Sequence, residues 1–236
     1  MTILCLTLDI DWAIDEVIRD ALALVNTHNV AATWFLTHET PVNAEIASRY
    51  EVGLHPNFNP LFEGGGDAAA DVLAKMRKLS PQARVVRSHS LTRSSRLAAL
   101  FFSHGFTHES NVLVPPIAAG ELQVWRDFSG LIEVPIRWED DVRLQDDAMG
   151  EPADWLGKLN LLVADFHPIH VFLNTATIDD YERARPVFRD FAALTPLRRP
   201  AGTGGTRDRL IALLERARAL KVPSVRLGDL TPGAVG

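Results

Sequence analysis

Cysteine is almost absent: Cys5 is the single one in 236 residues. That excludes a disulfide framework, and Cys5, inside the apolar run Ile3 to Leu8, reads as a small buried hydrophobe. Long apolar runs are also missing. None approaches the roughly 20 residues that a membrane-spanning helix needs, so no integral membrane segment is expected. Nor is there a strongly basic run, and the formal net charge is −6. Both argue against a nucleic acid or an anionic membrane as partner. The start, Met1-Thr2-Ile3-Leu4-Cys5-Leu6, has neither the charged segment nor the long apolar stretch of a signal peptide, so a cytoplasmic location is expected. Internal repeats and linkers are lacking, which predicts one domain over residues 1–236. The hydrophobic share of 47% and charged share of 23% can fill a substantial core. Only the tail, Thr231 to Gly236, reads as disordered.

What is present is a regular alternation. Strand-like runs are Ile3 to Leu8, Ala31 to Phe35, Val52 to Leu54, Val85-Val86, Phe106 to Glu109, Leu131 to Pro135, Leu161 to Phe166 and Ser224 to Leu227. Between them, apolar residues recur at helical spacing over Ile14 to Asn26, Asn43 to Tyr50, Asp67 to Leu79 and Arg207 to Leu220. Ser94 caps a further helix, which runs through Phe102 and stops at Gly105. This rhythm implies parallel strands with right-handed crossovers. It predicts an α/β fold, an irregular (β/α) barrel of about seven parallel strands, with a doubly wound open sheet as the alternative.

Polar clusters follow the strands, where parallel α/β folds carry their functional rim. Asp9 and Asp11 close the first strand. If both are extended they share a face about 7 Å apart, so that one can bind a metal and the other take a proton. N-capping of the next helix explains one of these acids but not both. His55-Pro56-Asn57-Phe58-Asn59 follows Gly53-Leu54. Imidazole is the commonest metal ligand, and a helical turn would return Asn59 beside His55. A polar turn with an incidental histidine is the plainer reading. Arg87-Ser88-His89-Ser90 follows Val85-Val86. Arg87 can hold a carboxylate ionised, and His89 is either a third metal ligand or a partner of loop carbonyls. His167-Pro168-Ile169-His170 follows Leu161 to Asp165. His167 could donate a proton to a leaving group, and His170 reads as pocket, metal or simply buried and hydrogen-bonded. His28, His38 and His104 receive no role. His108 to Asn111 could line the pocket and Trp138 to Asp141 could also reach the rim, an acidic solvated loop being the plainer reading, and the backbone of Gly204-Gly205-Thr206-Arg207 could bind an anion.

In this order the motifs resemble the polysaccharide deacetylases of the NodB-homology class, the family-four carbohydrate esterases. Leu6 to Asp11 resembles the Asp-x-Asp motif, Gly53 to Asn59 a histidine-x-x-x-histidine motif with Asn59 in place of the second histidine, and Phe166-His167-Pro168 the last motif. His-Pro-Asn-Phe-Asn, Arg-Ser-His-Ser and His-Pro-Ile-His together most resemble a bacterial branch concerned with surface polysaccharides, the WbmS type. The resemblance implies Asp9 as catalytic base, Arg87 as the arginine that orients it and His167 as general acid. Asp11 and His55 would be ligands of one divalent metal, zinc being the expectation, and His89 the ligand replacing the missing histidine. It further implies a metal-dependent hydrolase of the N-acetyl group of an amino sugar in a surface-polysaccharide precursor. Hydrolysis of another non-peptide C–N bond, such as a cyclic imide or formamide, and a metal-free binding pseudoenzyme are the alternatives.

Overall fold

The computed structural model describes residues 2–116, 121 and 123–233. Nine strands form one curled sheet: β1 (Ile3–Asp9), β2 (Ala32–Leu36), β3 (Glu51–Leu54), β4 (Val85–Val86), β5 (His108–Glu109), β6 (Trp125–Arg126), β7 (Ile132–Glu133), β8 (Trp138–Glu139) and β9 (Leu161–Phe166). Their order is β6-β7-β5-β4-β3-β2-β1-β9-β8. Every pairing is parallel except β6 with β7. Eight strands therefore run one way, and the fold is a mixed α/β half-barrel of the irregular kind that the alternation predicts.

Among the described residues ten α-helices accompany the sheet. They are α1 (Asp15–His28), α2 (Val42–Ala47), α3 (Asn59–Phe62), α4 (Ala69–Met76), α5 (Ser95–Ser103), α6 (Asp140–Gln145), α7 (Pro168–Leu173), α8 (Ile178–Ala184), α9 (Phe191–Leu194) and α10 (Thr206–Ala219). Strand alternation sorts the side chains into two faces. Leu4, Leu6 and Leu8 of β1 with Leu162, Ala164 and Phe166 of β9 face outward. There they meet Val17, Ile18 and Ala21 of α1, Phe172 of α7 and Leu210, Leu213 and Leu214 of α10. On the far side Leu54 and Val86 meet Leu73 and Met76 of α4 and Leu97 and Phe101 of α5. Each fully buried Leu or Phe contributes about 1.5–3 kcal/mol. Ser94 caps α5 as expected, its Oγ accepting from the Leu97 N–H at 3.2 Å.

Odd-numbered β1 residues face inward. Cys5 packs with Phe35, Val85, Val163, Leu227 and Leu230, whereas Thr7 and Asp9, further along, are polar and buried. Gly53 is required here: a Cβ on it would stand 2.5 Å from the Phe35 ring and 2.8 Å from Val85. Its absence lets that ring lie flat beneath Arg87, whose Cζ is 4.5 Å from the ring centre.

Three local expectations change. Ser224 to Leu227 is not a strand. A single parallel bridge joins Ser224 to Leu4, after which Leu227–Asp229 forms a 3-10 turn, closed by Arg226 on Asp229 at 2.8 Å. That turn plugs the barrel: the Leu227 and Gly228 N–H groups donate to Thr33 and Glu51 at 2.9 and 3.0 Å. Trp138–Glu139 is a strand, with Trp138 wholly buried against Phe166. The backbone of Gly204-Gly205-Thr206-Arg207 is no anion cradle, because Asp208 already accepts from Gly204 and Gly205 and the Thr175 carbonyl from Thr206. Of the tail expected to be disordered, residues 234–236 lie outside the described residues. No helix among the described residues is long and apolar enough to cross a membrane.

Candidate active site

β1 ends at Asp9, so Asp11 is not on a strand, and its expected position on a shared strand face gives way to a turn. Asp11 and Trp12 both adopt left-handed backbone, φ 33° and 53°, which costs energy in non-glycine residues and tends to mark functional turns. The Trp12 N–H is held by Thr37 Oγ1 at 3.0 Å. This turn brings Asp11 back over the strand ends. Its Oδ1 is 3.3 Å from His55 Nε2 and its Oδ2 is 3.4 Å from His89 Nδ1. The two imidazole nitrogens are themselves 3.4 Å apart.

Those spacings are near what a shared metal ion needs, with Asp11 presenting a different oxygen to each ring. Ligand atoms about 2.0–2.1 Å from a tetrahedral centre stand roughly 3.3–3.4 Å from one another. Asp11 Oδ1 is buried with no hydrogen-bond partner among the described residues. Burial opposes charge on Asp11, but the His55 and His89 contacts outweigh it and hold its carboxyl well below the usual range. Among the described residues Asp11, His55 and His89 form one of three clusters able to hold an ion; the others are Asp9 with Asp165 and His167, and Glu139 with Asp141 and His167. In the second cluster Arg87 already supplies a cation between the carboxylates, and in the third one imidazole stands alone between acids. The first therefore suits a metal best.

Behind it lies a buried ion network. Arg87, fully buried, reaches Asp9 Oδ1 at 3.1 Å and Thr7 Oγ1 at 3.0 Å, and also donates to Asp165 Oδ1. Its other nitrogens go to the Ser110 carbonyl and hydroxyl at 3.1 and 3.0 Å. The expected Arg87–Asp9 contact is thus present, while Asp165, to which the sequence assigned no role, shares the guanidinium. Burial and the nearby Asp165 push Asp9 up to about 6 despite Arg87. The second oxygen of Asp9 faces His55 Nδ1 at 3.3 Å, where a carboxylate fixes a ligand ring.

His167 follows β9 and caps α7 with Pro168 behind it. Asp140 grips it twice, by the backbone N–H at 2.8 Å and by Nδ1 at 2.7 Å. Nε2 is thereby turned toward the cluster, 3.6 Å from Asp11 Oδ2. Burial works against charge on this ring, but Asp141 and Asp140 outweigh it and lift His167 well above the ordinary histidine range. His170 is buried between Asp141 Oδ1, 2.6 Å away, and Thr175 Oγ1 at 3.2 Å, so it is a hydrogen-bonded wall residue.

Two neighbouring cavities share one partition. A hole of about 70 Å³ is bounded by Asp9, His55 and Glu139 among others, and a pocket of about 200 Å³ by Trp12, Tyr181 and Phe188. Asp11, His89, Asp141 and His167 line both. Glu139 is pushed up to about 8 by burial and by Asp165, so it is a neutral acid in the wall near pH 7. A larger cleft of about 460 Å³ lies along α2, where Glu39 and Lys78 are its charged lining residues; it adjoins none of these groups.

Some expectations fall away. Asn59 does not return to His55: its Nδ2 donates to Ser90 Oγ at 3.0 Å and its Oδ1 accepts from Thr92 at 3.3 Å, bracing the loop that carries His89. His108 to Asn111 lies behind the pocket, with His108 on the Leu230 carbonyl at 2.9 Å and Asn111 on the Ser88 N–H at 2.7 Å. The acidic run at Asp140-Asp141 is no solvated loop, since Asp140 is 1% exposed and holds His167. The apolar Ile136 and Trp138 just before it were the available signal.

Comparison with known proteins identifies the family. The family model for WbmS-like polysaccharide deacetylases matches residues 6–185. A solved structure from Bordetella bronchiseptica, assigned as a polysaccharide deacetylase involved in O-antigen biosynthesis (WbmS), is 36% identical, with 90% of each chain covered and a TM-score of 0.81. A structure from Mycobacterium smegmatis assigned as a polysaccharide deacetylase is 17% identical, covering 98% of this chain and 94% of that one, with a TM-score of 0.48. A 4-alpha-glucanotransferase from Thermococcus litoralis shares the fold at 11% identity, TM-score 0.51, covering 98% of this chain and 39% of that one. No curated protein matches the sequence. On the family model and the 36% identity over nine-tenths of both chains, the protein belongs to the WbmS-like polysaccharide deacetylases.

Proposed function

We propose that this chain is a metal-dependent N-deacetylase that removes the acetyl group from an amino sugar in a surface-polysaccharide precursor. The observation that carries the reading is the three-ligand cluster at 3.3–3.4 Å spacing between a buried carboxylate, Asp9, and a charged imidazole, His167. The O-antigen role assigned to the Bordetella relative supports the substrate class.

Asp11, His55 and His89 would hold the ion, and their mixed imidazole and carboxylate donors suit zinc. When bound, a divalent ion polarises the amide carbonyl and makes water more acidic. Asp9 is ionised above its value of about 6 and takes the proton of the attacking water. Arg87 holds that carboxylate in place through Oδ1. His167 delivers the proton on Nε2 to the departing amine, with Asp140 fixing the ring from behind.

The test is acetate release from N-acetylated amino sugars, free, nucleotide-linked and in oligosaccharides, by protein with measured zinc content. One zinc per chain and acetate release that a chelator abolishes are expected. A fully loaded protein that releases none from the whole panel, or release indifferent to the chelator, would reject the reading.

A further inference from the structure

The mechanism above leaves Asp141 unused, although it lies at the partition between the two cavities. Asp141 opens α6, directly after the Asp140 that holds His167. Its Oδ1 is fixed by His170 Nε2 at 2.6 Å, and His170 is itself 2% exposed and tied to Thr175. Its Oδ2 lies 3.9 Å from His167 Nε2. A single atom placed between these two can stand about 2.8–3 Å from each, within hydrogen-bond reach of both. Carbonyl and water belong on the side of Asp11 and His55, so the scissile nitrogen falls between His167 and Asp141.

We propose that Asp141 is the residue that selects amides over esters: its Oδ2 accepts the N–H of the acetamido group, with His170 locking the carboxylate in that orientation. The inference rests on the deacetylase reading. An amide nitrogen carries one hydrogen, and the ground-state contact N–H···Oδ2 leaves its lone pair turned toward His167. When the C–N bond breaks, the electron pair stays on nitrogen and the His167 proton joins it. The resulting amine keeps its bond to Asp141. An ester oxygen has no hydrogen to give, so it meets the carboxylate lone pairs instead, a repulsion in a confined pocket. The carboxylate is ionised for this role. Burial opposes the charge, but the nearby charged His167 and the His170 hydrogen bond hold Asp141 well below the usual range.

The experiment compares an N-acetylated sugar, its O-acetylated counterpart and an activated aryl acetate in wild type, Asp141→Ala, Asp141→Leu and His167→Ala. Leu is nearly isosteric with Asp and offers no acceptor. Both Asp141 variants should lose about 10- to 100-fold in kcat/KM on the amide, the value of one charge-assisted hydrogen bond. They should lose clearly less on the sugar ester, which shares only the weaker hold on the His167 proton, and keep the zinc content of wild type. His167→Ala should lose on both sugar substrates, whose leaving groups need the proton, and far less on the aryl acetate. Equal losses on amide and ester in the Asp141 variants would overturn the proposal, as would loss of zinc, which would make Asp141 a ligand. A loaded wild type that cleaves no N-acetyl sugar would remove the deacetylase reading and this inference with it. Activity in wild type with no change of preference in the variants would remove this inference alone.

Discussion

The two ends of the barrel interior are built from the same strands and obey opposite rules. At the amino end Cys5, Phe35, Val85, Val163, Leu227 and Leu230 close an apolar plug. At the carboxyl end the next inward positions are Thr7, Asp9, Asp165, Arg87 and His55, all buried. The lower end gains mainly from burial, with neutral and backbone hydrogen bonds around its edge, and tolerates hydrophobic exchange. The upper end must satisfy every charge it hides, because a buried ion without a partner costs several kcal/mol. Two residues along a strand separate packing from chemistry, so the ends can be perturbed separately.

The sharpest break is at the top. His55→Ala should abolish metal binding, measured as zinc per chain, and reduce turnover by at least about 10³. Asp9→Asn should fold, keep the metal and still lose about 10² to 10⁴ in rate. Near-normal turnover in Asp9→Asn, or full metal in His55→Ala, would show that the polar end is packing after all. Arg87→Met comes next: it removes the one guanidinium shared by Asp9 and Asp165 and should cost about 3–5 kcal/mol in denaturant unfolding. A variant as stable as wild type would mean that these acids find their charge balance elsewhere. At the bottom, Leu230→Ala should cost about 2–5 kcal/mol by opening a cavity, yet leave the turnover of the folded molecule unchanged. A matched fall in rate would join the two ends.

A pH-dependent effect is expected outside the barrel mouth. Glu133 is pushed up to about 9 by burial and by its hydrogen bond to Glu109, with Arg93 opposing. Its unfolded value is near 4.5. Folding therefore takes up a proton: this contribution is complete below about 4.5 and is lost as pH rises toward 9. Urea midpoints measured between pH 5 and 9 should decline along that window in wild type and decline less in Glu133→Gln. Parallel profiles would exclude Glu133 as the titrating group.

The long strands and helices were legible because periodicity survives in one dimension: β1, β2, β3, β9, α1, α4 and α10 all lie where the apolar spacing put them, to within a few residues. The two-residue strand β6 and the buried β8 were not, because so short a pairing is decided by its neighbour rather than by its own pattern. In the site, Asp9, Asp11, His55, Arg87, His89 and His167 converge from four strand ends, as their placement after strands suggested. The partners that aim them were hidden. Asp140 reaches His167 across 27 residues and Asp165 reaches Arg87 across 78, and a carboxylate's partner at such range leaves no mark in local sequence. Asn59 misled for a related reason. Its spacing from His55 assumed a helical turn, but α3 begins only at Asn59.

The plug at Leu227–Asp229 also sets a schedule for synthesis. β1 leaves the ribosome before the rest of the sheet, yet its neighbour β9 begins at Leu161 and the segment that seals its base arrives only at Ser224. At about 5–20 residues per second, the first strand waits roughly 10 to 40 s for the chain that covers it. During that time its alternating apolar faces have α1 and β2 for cover and little else. Pairings of such long sequence separation are slow to form even in the finished chain. The barrel floor is thus completed by Ser224 to Leu230, and a chain stopped before Ser224 would leave that floor open with Cys5, Thr33 and Glu51 uncovered.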